Sequence, residues 1–164
     1  MRRFFVCEET TSDGCASASE KSAVTQTVTK NIHTILGSIR NKAHYTGQIV
    51  IVNYYSLDYA SSVANAQSQM LNQVQDAAAR PYHVEIADGY GELEQASVHS
   101  GSNTCTAGLL TQVGGGKCGI HPSYAGSALL AQSVAKVIKL GASGARASSR
   151  IRLGASLPPL SFTG

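Results

Sequence analysis

The chain has 164 residues, 43% of them hydrophobic and 14% charged, which is enough for one domain with a core and too few to argue for two. Its net charge of +3 comes from Arg146, Arg150 and Arg152, residues 1–139 sum to zero, and so no basic face large enough for nucleic acid is expected. No apolar run approaches the ~18 residues of a membrane span, and the basic opening Met1-Arg2-Arg3-Phe4-Phe5-Val6-Cys7 meets acids too soon to be a signal peptide.

Residues 7–22 are rich in Ser, Thr and Glu around the turn dipeptide Asp13-Gly14, and read as a loop. From Ser22 the pattern is helical, with Val28, Ile32, Ile35 and Ile39 on one stripe until Gly47 breaks the chain. Ile49-Val50-Ile51-Val52 is a continuous β-branched run, the pattern of a strand buried on both faces in a parallel sheet. A polar connection over 56–62 leads to a second helix marked by Val63, Ala66, Met70, Leu71, Val74, Ala77 and Ala78 and ended by Pro81. Tyr82 to Asp88 reads as a short second strand closing at the turn Asp88-Gly89. Residues 89–122 are rich in Gly, Ser and Thr and predict a long, functional loop with at most a turn of helix at Leu93. A third helix over about 124–139 should bury Leu129, Leu130, Val134, Val137 and Ile138, and the aperiodic stretch 141–164 reads as a disordered basic tail or linker.

This order predicts an α/β domain over 1–140: a partial doubly wound, flavodoxin-like parallel sheet of about two strands and three helices, with its site at the carboxyl ends of the strands. The strand at 49–52 would present an open apolar edge, and a marginally stable or aggregating chain is expected from it. The four cysteines, at 7, 15, 105 and 118, allow three pairings, of which 7–15 with 105–118 is the local one. Paired cysteines in loops suggest an oxidising compartment.

The segment with most chemistry is Cys118-Gly119-Ile120-His121-Pro122-Ser123-Tyr124-Ala125-Gly126, ahead of the run Ser127 to Val134. A histidine followed by proline and backed by a helix is held at a fixed angle, as a general base must be. With the strand Gly47-Gln48-Ile49-Val50-Ile51-Val52 and its Tyr54-Tyr55 exit, this block resembles the C-terminal half of the SGNH (GDSL-type) esterase and lipase family over roughly residues 20–140. The resemblance implies a serine hydrolase acting on carboxylic esters of lipids or acylated carbohydrates, with His121 as base and no cofactor or metal. It also implies a secreted parent.

The family's nucleophile lies in a Gly-Asp-Ser block and an oxyanion donor in a Gly-x-Asn-Asp block; this sequence has neither Gly-Asp-Ser nor Asn-Asp. Phe5-Val6-Cys7 resembles the stretch that follows the second block. The resemblance therefore implies that the early strands, the nucleophile and the oxyanion donors precede Met1, and that the chain alone is inactive. Where the family places an aspartate three residues before the histidine, this chain has Cys118. A backbone carbonyl near 118, with Cys118 tied to Cys105, is the preferred orienting group, and Asp88 is the alternative. Tyr54, Tyr55 and Tyr59 are candidates to line an acyl or alcohol pocket, against the plainer role of packing.

Three further patterns compete. His99, Cys105, Cys118 and His121 offer a zinc set and with it a small metal-binding interaction module, beside a non-catalytic pseudoenzyme, as alternatives to a hydrolase. Ser133-Val134-Ala135-Lys136 matches the Ser-x-x-Lys of some acyl transferases but falls inside a helix. Gly114-Gly115-Gly116-Lys117 lacks the first glycine, the following Ser or Thr and the preceding strand of a phosphate loop.

Overall fold

The computed structural model describes residues 17–139. Helix α1 (Ala18–Gly37) starts on Ser17, whose hydroxyl accepts from the Glu20 amide, and ends in a π-helical turn, Ser38–Lys42. Its stripe is rotated from the predicted one: Leu36 is buried whereas Ile35 is 58% exposed, because the inward face follows Val28, Ile32 and Leu36 onto the next helix. Arg40 then gathers the chain, donating to the carbonyls of Tyr45, Gly47 and Tyr82 at 2.8, 2.7 and 3.1 Å.

Strand β1 (Val50–Val52) pairs in parallel with β2 (Glu85–Ala87), with Val50, Ile51 and Val52 opposite Glu85, Ile86 and Ala87. Between them runs α2 (Ser62–Ala79), capped by Ser61. The crossover follows the rule that parallel strands need a long connection. The second strand is shorter than predicted because Arg80–Tyr82 forms a 3-10 turn and His83 takes a left-handed conformation. The β1 residues are half-buried rather than buried on both faces. On α2, Val63, Ala66 and Ala77 face solvent while Ala78 and Ala79 are buried.

The outer edge of β1 is not bare. Asn53 N–H and Ile49 C=O point to β2, so Val52 C=O and both polar groups of Tyr54 point the other way. Gln75 donates to Val52 O at 3.3 Å, and Asn72 accepts from Tyr54 N at 2.6 Å and donates to Tyr54 O at 2.8 Å. Carboxamides of α2 thus take part of the place of a neighbouring strand.

Among the described residues there are four α-helices rather than the three expected, since α3 (Gly89–Ser97) occupies the start of the stretch expected to be a loop. The signal was hidden by Gly89 and Gly91, which lower helix propensity. Gly89 is there for space: a Cβ would stand 2.6 Å from Leu130 Cδ2 and 2.7 Å from Val52 Cγ1. The remainder of that stretch also orders itself, as an antiparallel hairpin of β3 (Leu110–Gly114) and β4 (Lys117–Pro122). Gly114, Gly115 and Gly116 all have positive φ, so the Gly-Gly-Gly-Lys string is a hairpin turn.

Helix α4 (Tyr124–Val137) packs on β1, β2 and α3. Gln48, just before β1, donates to Val137 O at 2.8 Å and accepts from Lys139 N at 2.9 Å, and Lys139 pairs with Glu85 at the start of β2. The C-terminus of α4 therefore lies at the amino ends of both strands, its middle at Leu130 is level with Val52 and Gly89 at their carboxyl ends, and its first turn projects beyond that edge. Ile138, expected inside, is 44% exposed beyond the last turn, and Gly126 and Ser133 hold the buried positions. The core lies at the carboxyl end: Tyr59, Leu93 and Leu109, flanked by Tyr55, Tyr90, Ala107, Leu129 and Leu130.

Candidate functional site

The carboxyl ends of β1 and β2 carry Asn53 and Asp88, and both are spent on α3. Asp88 caps that helix, accepting from Gly91 N at 2.9 Å and from Asn53 Nδ2 at 3.1 Å, while Asn53 Oδ1 accepts from Tyr90 N at 2.7 Å. Two of the orphan amides of the helix start are satisfied in this way. Asp88 was expected at a turn and instead begins a helix. Asn53 had no distinguishing mark in the sequence beyond following a β-branched run.

Beyond β1 the chain is stitched to residues 97–104. Thr104, fully buried, donates to Ser56 O at 2.7 Å, Tyr59 N donates to Ser102 O at 2.8 Å, and Asp58 bridges Asn103. Tyr59 stacks edge-on against Tyr90 with centroids 5.0 Å apart and donates to Tyr90 O at 2.8 Å. Burial, above all, pushes the Tyr59 hydroxyl pKa up, and it raises that of Tyr54 as well. The Tyr55 hydroxyl is pushed up to about 12, by burial first and by the neighbouring Tyr54 second. Tyr55 donates to Ile120 O at 2.7 Å, so it joins the β1 exit to the strand that bears His121.

His121 stands on β4, not on a loop, and its side chain is exposed. Thr111 Oγ1 donates to its carbonyl at 3.2 Å. Pro122 closes the strand and Ser123 caps α4, accepting from Gly126 N at 3.2 Å while its hydroxyl donates to Gly108 O at 2.7 Å. The first turn of α4 lies beyond the carboxyl ends of β1 and β2, so His121 is on that side of the pair, joined to the β1 exit through the Tyr55 bond to Ile120. Among the described residues no hydrogen bond or ion pair engages its imidazole, whether from Asp88, from Cys118 or from a backbone carbonyl. Tyr124 follows with 94% of its surface exposed.

Cys118 is bonded to Cys105, with Cα atoms 5.7 Å apart, and accepts from Gln112 Nε2 at 3.1 Å. The pairing expected for this couple is present; Cys7 and Cys15 lie outside the described residues, as does the 141–164 tail. A disulfide removes both thiolates that a zinc set with His99 and His121 needs, and among the described residues no group of three or more His, Cys, Asp or Glu could hold a metal. The Ser-x-x-Lys match dissolves as well: Ser133 is buried with its hydroxyl on Leu130 O at 2.8 Å, and Lys136 pairs with Glu92.

Two hollows lie away from His121. One, of about 330 Å³, is lined by Thr25, Thr29, His33, Val74, Ala77 and Ala78 between α1 and α2. The other, of about 260 Å³, is lined by Asn53, Asn72, Gln75, Asp76 and Ile86. Among the described residues no helix is long and apolar enough to cross a membrane. The fold defines a small mixed α/β protein with a parallel pair and a disulfide-bridged hairpin. Compared with known proteins, the chain matches no protein-family model, no curated protein and no solved structure.

Proposed function

We propose that this chain supplies the base-bearing half of a serine ester hydrolase of the SGNH (GDSL) type, with His121 as general base toward the serine hydroxyl and then general acid toward the leaving alcohol, the same pair of roles serving water and the serine in deacylation. The substrate class is a carboxylic ester of a lipid or an acylated carbohydrate. The observation that carries the reading is the position of His121: exposed, beyond the carboxyl edge of a parallel pair, joined to the exit of β1 through the Tyr55 bond to Ile120, and immediately before a helix that packs on that pair. That edge is where open α/β sheets place their ligands.

On this reading the parallel pair belongs to a larger doubly wound, flavodoxin-like sheet, and the serine and oxyanion donors come from outside residues 17–139. The nucleophile's own hydroxyl takes the open side of the imidazole. The Cys105–Cys118 disulfide supports a parent made in an oxidising compartment, secreted or extracellular.

The test is the longest polypeptide whose reading frame contains these residues, assayed with a short-chain p-nitrophenyl ester and a fluorophosphonate label. Hydrolysis and labelling of one serine are expected, with a loss of at least about a hundredfold in His121→Ala. No labelled serine in that polypeptide, or undiminished turnover in the variant, would overturn the reading. The 164-residue chain by itself is expected not to turn over.

A further inference from the structure

The Cys105–Cys118 bridge joins two segments of unequal support. Cys105 follows the fully buried Thr104, whose hydroxyl is held by Ser56 O at 2.7 Å and whose amide donates to Leu57 O at 3.3 Å. On that side the sulfur is anchored to the body. Cys118 stands in the outer half of the hairpin. The strand register slips on both sides of the Gln112–Cys118 pair, the turn is three positive-φ glycines, and Gln112, Val113 and Gly114 to Lys117 are exposed.

The inner half of the hairpin has ties of its own. Ser123 N donates to Leu109 O at 2.8 Å, its hydroxyl reaches Gly108 O, and a Cβ on Gly126 would meet Leu109 O at 2.3 Å, so α4 sits tightly on the hairpin base. Tyr55 holds Ile120, and Thr111 holds His121. None of these contacts passes through the disulfide.

We propose that the Cys105–Cys118 disulfide is a thiol-switchable latch: reduction by a dithiol releases residues 112–119 and leaves His121 held only from the hairpin base, by Tyr55, Thr111 and the Leu110–Pro122 pair, while β1, β2 and the helices stay folded. A disulfide resists reduction when the rest of the fold keeps its two cysteines together, because the bond re-forms at a high effective concentration. Here the fold fixes Cys105 to a buried segment, while Cys118 has, besides the bond, a single ladder pairing with Gln112 between two register slips and that residue's side-chain contact, so the bond opens more readily than one between two core positions.

The exchange is balanced as follows. A thiolate of the reductant bonds to Cys105 Sγ, the Cys105–Cys118 bond breaks, and Cys118 leaves as a thiolate toward which Gln112 Nε2–H already points. The reductant's second thiol then displaces Cys105 from the mixed disulfide. The reductant ends as a disulfide, and Cys105 and Cys118 end as two thiols with the two protons it gave up. The consequence for chemistry rests on the proposed role of His121: with residues 112–119 released, the strand that carries His121 is supported from the hairpin base alone and aims the imidazole less narrowly, so hydrolysis falls with reduction.

The purified protein is equilibrated with dithiothreitol in native buffer, its cysteines are counted by peptide-resolved alkylation, and amide hydrogen exchange is followed by residue. Opening at Cys105 and Cys118 without denaturant is expected, with exchange rising at least about tenfold over 112–119 and far-UV circular dichroism retained. The Cys105→Ser/Cys118→Ser variant should reproduce that state. Loss of protection across β1, β2 and α4, an unfolded double variant, or a bond that yields only in denaturant would overturn the latch. Ester hydrolysis of the longest reading-frame product in the same redox series separates the two readings. Local release with hydrolysis undiminished by His121→Ala removes His121 from the chemistry and leaves the latch standing; His121-dependent hydrolysis with no local release removes the latch alone.

Discussion

The α/β body and the β3–β4 hairpin are held by different physics. In the body, backbone groups that leave β1 are met by Asn72 and Gln75, the start of α3 is met by Asp88 and Asn53, and Leu93 and Thr104 are fully buried with every described polar neighbour satisfied. Such an interior is specified by apolar burial together with completed hydrogen bonds. The hairpin has only two strands, slipped register and mostly exposed residues beyond Leu110. A two-stranded ribbon buries too little to stand by itself, and a covalent bond supplies what burial does not. A loop closed by two cysteines 13 residues apart contributes about 3 kcal/mol in the unfolded-chain picture. The residue with the most chemical promise sits on the weaker of the two regions, where an imidazole can remain exposed and unengaged.

Substitutions should divide along this line. Leu93→Ala, at the centre of the body, is expected to cost about 2–5 kcal/mol in urea unfolding, because a fully buried side chain leaves a cavity among Tyr59, Leu109 and Leu130. A loss below about 1 kcal/mol would show that this cluster is not the core. Thr104→Val comes next, at about 1–3 kcal/mol, since Ser56 O then has no donor from a fully buried site.

Tyr55→Phe tests the seam between the regions and should cost about 1 kcal/mol through the lost bond to Ile120. Its pH dependence has a definite sign. The Tyr55 hydroxyl titrates near 10.0 in the unfolded chain and about 12 in the folded one, so the folded state holds its proton more tightly. The resulting stability is full below pH 10 and is lost as pH rises from 10 to about 12. Tyr54 and Tyr59 are displaced the same way. The Phe variant should show a shallower alkaline decline; an identical one would mean that Tyr55 is solvated.

The smallest effect is expected from His121→Ala, within about 0.5 kcal/mol in stability, because the side chain is exposed and among the described residues nothing bonds to its ring. A loss above about 1 kcal/mol would make His121 a structural residue.

Much of the body was legible. The β-branched run 50–52 gave a strand, the spacing from Met70 to Ala78 gave the crossover helix, and the apolar run after Ser123 gave α4, because burial imposes periodicity on the chain. The local pairing of Cys105 with Cys118 was legible from spacing. Residues 89–122 were not. Glycine at 89 and 91 spoke against a helix, yet Gly89 is required by the approach of Leu130 and Val52, a contact that exists only once α4 has packed. In the hairpin the alternation was too short, and too broken by bulges, to stand out from a loop.

The same division holds for the site. The sequence determined that His121 would precede a proline and a capped helix, and so that its backbone would be fixed. Only the tertiary structure decided that it stands on a strand, that Tyr55 and Thr111 hold its neighbourhood and that Asp88 is committed to α3. Those outcomes depend on which groups reach one another across the chain, as Thr111 reaches His121 over 10 residues, Asn53 reaches Asp88 over 35 and Tyr55 reaches Ile120 over 65. Local sequence patterns report on neighbours within a turn or a strand, whereas the direction and company of a side chain are set by the elements that pack around it.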